Sequence, residues 1–143
     1  MDKSAEEIFV TDIGESSFQE FNLLKSAKNY GWPVYEGSSC LKMKLECKNL
    51  KSAVPIYVYS FKTGKSIRAT NIYNAKKYEK LSGYSLVHDT TNHFVTALKT
   101  AKEPSKKKVK VESGSEPYEQ IFFNSEGSIF ALTKKSLLEL VLN

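Results

Sequence analysis

Apolar residues recur at two different periods along this chain, and the switch between them divides it into elements. Phe18, Phe21, Leu24 and Ala27 fall at helical spacing. Ser17 with Glu20 makes the S-x-x-E pattern that caps a helix start, so a helix is predicted from Ser17 to about Tyr30, stopped by Gly31 and Pro33. Residues 40–47 alternate, with Leu41, Met43 and Leu45 on one face and Lys42, Lys44 and Glu46 on the other, and read as a strand. VPIYVYSF, KTGK and SIRAT then read as a hairpin over 54–70, with Gly64 free to take positive φ in the turn. Residues 73–82 read as a helix ended by Gly83, and a second helix starts near Thr91 or Asn92 with Phe94, Val95, Leu98 and Ala101 inward. EQIFF–NSEG–SIFAL reads as a second hairpin, apolar on both faces around Phe122, Phe123, Ile129 and Phe130. Lys134–Leu142 reads as a short helix, apolar almost all round. The predicted class is therefore α+β: a mainly antiparallel sheet built from two hairpins plus an extra strand, with three or four helices.

A chain of 143 residues is the size of one domain, and 1–143 is read as a single unit. Residues 1–15 are acidic and expected to be partly ordered. Residues 103–117, EPSKKKVKVESGSEP, are expected to form a lysine-rich mobile loop, although KVKVE could pair as an edge strand. No apolar run is long enough to span a bilayer, and the N-terminal residues lack a basic stretch followed by an apolar one. Read on one strand, Cys40 and Cys47 would face apart at more than roughly 20 Å, too far for a disulfide. Free thiols fit a reducing compartment, so the expected location is intracellular, cytoplasmic or nuclear.

Charge changes the picture more than composition does. Residues 1–20 hold six acids against Lys3, a sum of −5, and residues 112–143 hold five acids against Lys134 and Lys135, a sum of −3. The middle carries +13, which returns the net +5. A basic centre between acidic ends attracts polyanions. Of the twenty-one bases only Arg68 is arginine, and lysine is a point charge, so contact with a nucleic-acid backbone would dominate over base reading. An AT-rich coding sequence produces the same lysine excess without any such partner.

Tyr57 and Tyr59 alternate on one face of the first hairpin beside Lys62, Lys65 and Arg68, a candidate stacking platform with phosphate-neutralising bases. The competing reading covers that aromatic face with a helix. Lys76, Lys77 and Lys80 would extend the footprint along the next helix, and Lys106, Lys107, Lys108 and Lys110 would form a flexible arm. Lys134 and Lys135 at the start of the last helix are a further candidate anion site. The hairpin–helix–helix order with TGKSIRATNIYNA, over about residues 54–101, loosely resembles the KilA-N and APSES class of DNA-binding domains, without a diagnostic tryptophan; the resemblance implies DNA binding. Catalytic candidates are poor. His88 and Asp89 are neighbours in sequence, His93 stands alone, and no nucleophile elbow, phosphate loop or zinc-ligand spacing is present. No catalytic residue, metal or cofactor is expected. The reading that follows is a non-enzymatic protein binding DNA or RNA through a lysine-rich central surface, with no membrane association. The alternative is a protein–protein interaction module (an inhibitor, adaptor or assembly subunit, or a homodimer) using the apolar C-terminal helix or the Tyr-rich hairpin.

Overall fold

The segment YSLVHD is buried at all six positions, which only a strand covered on both faces can achieve. It is the middle of an antiparallel structure, and the computed structural model describes residues 7–42, 44–92, 94–99, 105–108 and 116–142. In chain order the strands are β1 (Phe9–Ile13), β2 (Phe18–Leu23), β3 (Tyr35–Glu36) and β4 (Ser39–Cys40). The one α-helix among the described residues, α1 (Lys44–Asn49), follows. Then come β5 (Tyr57–Ser60), β6 (Ile67–Tyr73), β7 (Tyr84–Asp89), β8 (Val95–Lys99), β9 (Ser105–Lys108), β10 (Gln120–Phe123), β11 (Ile129–Leu132) and β12 (Leu137–Leu140). A 3-10 turn at Glu79–Leu81 sits between β6 and β7.

These strands make four small antiparallel sheets. The first is β1-β2-β5, the second β6-β7-β8-β9, the third β10-β11-β12, and β3-β4 form a separate hairpin. Within the second and third sheets each strand pairs with its neighbour in sequence, the up-and-down pattern from which propeller blades are built. β6 touches β1 and β2 on one side and β10 on the other, so the second sheet lies between the other two.

Side-chain alternation then divides the core in two. Val87 of β7 and Leu98 of β8 pack with Ile67, Phe21 and Tyr59 against the first sheet. Tyr84 and Leu86 of β7, with Val95 and Ala97 of β8, pack with Tyr118, Ile121, Ile129, Ala131 and Leu140 against the third. Burying each such large side chain contributes about 1.5–3 kcal/mol. A bulge in β6 between Ala69 and Ile72 shifts its register, so that Ile67 faces the first interface and Tyr73 the second.

Much of the predicted pattern is corrected here: the chain is nearly all antiparallel sheet, not α+β with three or four helices. The expected helix over 17–30 is β2 and an irregular segment. Both faces of β2 are covered, so its apolar and polar residues alike are buried, and Glu20 accepts from the Gly37 N–H instead of capping Ser17. The strand expected over 40–47 ends at Cys40 and gives way to α1; Met43 lies outside the described residues. Cys40 and Cys47 are not free thiols: the helical turn brings their Cα atoms to 6.0 Å and they form a disulfide. The hairpin expected over 54–70 does not form, because β5 pairs with β2 and β6 with β7. The two helices expected after it, and the KilA-N-like order they implied, are replaced by β6, the 3-10 turn, β7 and β8. Of the 103–117 loop, 105–108 is a strand, and 103–104 and 109–115 lie outside the described residues. The C-terminal helix is β12, with Leu137 and Glu139 outward and Leu140 inward. The hairpin read at EQIFF–NSEG–SIFAL is present, with Phe122 opposite Phe130 and Gly127 at φ 90°.

Candidate functional site

Two buried carboxylates organise one end of the molecule. Asp89, at the end of β7, accepts the Tyr59 hydroxyl at 2.7 Å and the Ser66 N–H at 2.8 Å through Oδ2. Its Oδ1 accepts the Thr91 N–H at 2.8 Å, the Thr91 hydroxyl at 2.5 Å and the Asn92 N–H at 3.0 Å. The carboxylate thus ties the β5–β6 link to the β7–β8 turn, and Asn92 closes the same join by donating to the Thr63 carbonyl. Burial pushes this carboxyl up, but the bonds from Thr91, Tyr59 and Ser66 outweigh it and hold Asp89 below the usual carboxylate range. Gly64, expected to serve a positive-φ turn, is not among the glycines with positive φ. It is small because a Cβ there would run into the Asp89 carboxylate.

Glu36 of β3 repeats the device at the β1–β2 link. Its Oε1 accepts the backbone N–H groups of Ser16, Ser17 and Phe18 at 3.1, 2.9 and 3.1 Å, and its Oε2 the Ser16 hydroxyl at 3.0 Å. A Cβ on Gly14 would collide with this carboxylate too. Burial raises its pKa, the four donors lower it, and the net direction is down.

His88 is the opposite case. It shares the face of Tyr84 and Leu86, is 1% exposed, and neither ring nitrogen has a hydrogen-bond partner. The Glu119 carbonyl is near enough to favour the charged ring without reaching hydrogen-bond geometry, while burial and the cross-strand neighbour Arg68 oppose charge. Burial wins and lowers the imidazole to about 4, so it is neutral at pH 7. Gln19 and Asn22 of β2 also carry buried polar atoms without partners.

Two cavities flank the first sheet, at opposite ends. A hollow of about 320 Å³ beside the β1–β2 link is lined by Asp12, Glu15, Glu20 and Glu36 with Tyr30, Trp32 and Tyr35. A basin of about 550 Å³ at the Leu23 and Ile56 end is rimmed by Lys25, Lys28 and Lys51. Among the described residues no group of His, Cys, Asp or Glu is placed to hold a metal ion.

The residues picked out from the sequence are dispersed by this fold. Tyr59 is buried with its hydroxyl committed to Asp89, and burial foremost pushes that hydroxyl's pKa up. It offers no face for stacking, and Tyr57 leans on it at 5.9 Å between ring centres. Lys62 and Lys65 are exposed on the β5–β6 link with Arg68 just inside β6, whereas Lys76, Lys77 and Lys80 follow the far end of β6, roughly 20 Å away. Lys77 is engaged by Glu139 at 2.9 Å and Ser128 at 2.7 Å. Lys106, Lys107 and Lys108 lie in β9, paired to β8, and Lys110 lies outside the described residues, as does His93. Lys134 and Lys135 sit in a turn held by Thr133, with Lys135 paired to Glu116 at 2.9 Å, and no helix starts there. Sequence reasoning weighed Asp89 only as a neighbour of His88 and passed over Glu36 and the Lys25–Lys28–Lys51 grouping. The D-T-T-N run was a usable signal, since an Asp followed by Thr and Asn closes turns onto its own carboxylate.

Solved structures share this arrangement. The chain is similar to the soluble aldose sugar dehydrogenase of Escherichia coli in its apo form, at 14% identity and a TM-score of 0.61, over 95% of this chain and 40% of that one. It is similar to a glucose dehydrogenase at 14% identity and a TM-score of 0.70, over 99% and 42%. It is also similar to the PQQ-bound aldose sugar dehydrogenase of Streptomyces coelicolor, at 16% identity and 0.64, over 100% and 41%. The chain thus spans about two fifths of the length of the structures it matches, and at these identities the likeness speaks for the fold. The model of the glucose/sorbosone dehydrogenase family matches residues 1–141. That match overturns the expectation of a non-enzymatic nucleic-acid-binding protein, and it does not support the interaction-module alternative either. By sequence and by fold, the chain belongs to the glucose/sorbosone dehydrogenase family, a family of enzymes.

Proposed function

We propose that this chain contributes its four antiparallel sheets to a dehydrogenase acting on a sugar or a related polyhydroxy compound. The observation that carries this reading is the family match over residues 1–141, supported by the likeness of the whole chain to sugar dehydrogenases. The two carboxylate-tied links supply the rigidity such a site needs. They bring the β1–β2, β5–β6 and β7–β8 connections together at one end and hold them by backbone N–H bonds instead of loose packing.

One similar structure is PQQ-bound. A tricarboxylated ortho-quinone of that kind needs several cations converging on a flat slot with a base above it. Among the described residues these requirements are met in separate places. His88 is sealed between sheets, and Arg68 folds back to donate to the Ile67 carbonyl at 3.3 Å. Three lysines rim a basin at the other end of the first sheet, and the nearer hollow is lined by carboxylates that repel an anion. The described residues do not form a site for that group, so no step through it is derived. What they do form is the frame: the Asp89 join ties the end of β7 to the β5–β6 link and the β7–β8 turn.

The test is reduction of an artificial electron acceptor by the purified protein, with and without added PQQ, across aldoses and polyols. Sugar-dependent reduction is the expected result. Silence across the whole panel under both conditions would overturn the proposed activity and leave the family match standing.

A further inference from the structure

We propose that the basin rimmed by Lys25, Lys28 and Lys51 binds a small amphipathic anion: a short alkyl or aryl body ending in a phosphate, sulfate or carboxylate. The proposal is independent of sugar oxidation and rests on the shape and chemistry of the cavity. Its volume, about 550 Å³, lies within the range of small-molecule sites, roughly 300–1,000 Å³. Three lysines line it and no carboxylate does. The rest of its lining is mostly apolar, from Leu23, Ala53, Val54, Pro55 and Ile56, and Val54 is 85% exposed.

The walls are set without a ligand. The Ala53 N–H donates to the Asn29 carbonyl at 2.7 Å, which fastens the Lys51–Ile56 wall to the Lys25–Lys28 wall. The Ile56 N–H donates to the Phe21 carbonyl at 2.9 Å, anchoring the same wall to β2. The Tyr30 hydroxyl donates to the Leu23 carbonyl at 2.8 Å and accepts the Lys25 N–H at 2.7 Å, fixing where Lys25 leaves the sheet. A pre-formed site saves the ordering cost of binding. An inorganic anion would meet the lysines and leave the apolar lining wet, and a neutral alcohol would do the reverse. An anionic amphiphile satisfies both at once.

The test is a calorimetric titration of the whole chain with hexyl phosphate at low salt, beside inorganic phosphate and hexanol. Saturable 1:1 binding of hexyl phosphate is expected, at least about tenfold tighter than either control. The triple variant Lys25→Gln, Lys28→Gln, Lys51→Gln should weaken it about tenfold, since each exposed pair contributes a modest share. Val54→Ser, which leaves the lysines in place, should weaken hexyl phosphate several-fold and leave inorganic phosphate unmoved. The substitutions are at exposed positions, and unchanged circular dichroism checks the fold. Equal affinity in the triple variant, equal affinity for inorganic phosphate, or no saturation would each overturn the proposal. So would lysine-dependent capture on phosphatidylglycerol vesicles without saturable hexyl phosphate binding, which would assign these lysines to a membrane surface.

Discussion

Asp89 and His88 are consecutive residues of one strand, both about 1% exposed, and the fold treats them in opposite ways. Asp89 faces the first sheet and accepts five hydrogen bonds from four residues. His88 faces the third sheet and has none. A buried charge is tolerated when donors replace its hydration, while a buried imidazole without partners cannot keep its charge and loses the proton to become neutral. The difference teaches how the two interfaces are held. The smaller one, around Phe21, Tyr59, Ile67, Val87 and Leu98, relies on a polar join at its edge. The larger one, around Tyr73, Leu86, Tyr118, Ile121 and Ile129, is held by apolar burial with a link from the Tyr73 hydroxyl to the Gly127 carbonyl at 2.8 Å.

The comparison is broken most severely by Asp89→Ala. It strands the donors of Tyr59, Ser66, Thr91 and Asn92 together, and urea unfolding should show a loss of about 3–5 kcal/mol. A loss under 1 kcal/mol would mean that water replaces the carboxylate without cost. A smaller effect sharpens the other half. The folded state holds His88 at about 4 while the unfolded chain titrates at an ordinary histidine value. Between those values the unfolded chain carries a proton that the folded one lacks, so stability falls as pH falls. From pH 7 to pH 5 the drop assignable to His88 is about 2 kcal/mol. His88→Leu should remove that slope at little cost at pH 7, and an unchanged slope would refute the assignment. Asp89 acts with the same sign in a more acidic window: its pKa is depressed too, so its contribution is present above the usual aspartate range and is lost only in stronger acid.

The legible parts of this chain were those where local pattern and tertiary environment agree. The β10–β11 hairpin declared itself because both its faces are apolar and Asn124 with Gly127 close the turn through Asn124 Oδ1 bonds to Glu126 and Ser128. β7 was illegible because Ser85, His88 and Asp89 interrupt the apolar pattern although all are buried. β8 was misread as a helix because both faces are covered. Val95 and Leu98, three apart and both buried, then fall with Phe94 where a helical stripe also would. The candidate site suffered for a further reason: the partners of Asp89, Tyr59 and Ser66 lie 30 and 23 residues away, a pairing that no local period records.

The first sheet differs from the others in one more respect, and its consequence lies in time. β2 meets β5 only after residues 24–56 have looped out and back, whereas β11 and β12 are joined through residues 133–136. Closing the longer loop costs about 2 kcal/mol more chain entropy. The lysine basin and the Tyr59–Asp89 bond both wait on that closure. The sheet written first should therefore be completed last, with β2 and β5 amides gaining protection after those of β7 and β8 in pulsed hydrogen exchange. Simultaneous protection would place the long closure inside the folding nucleus itself.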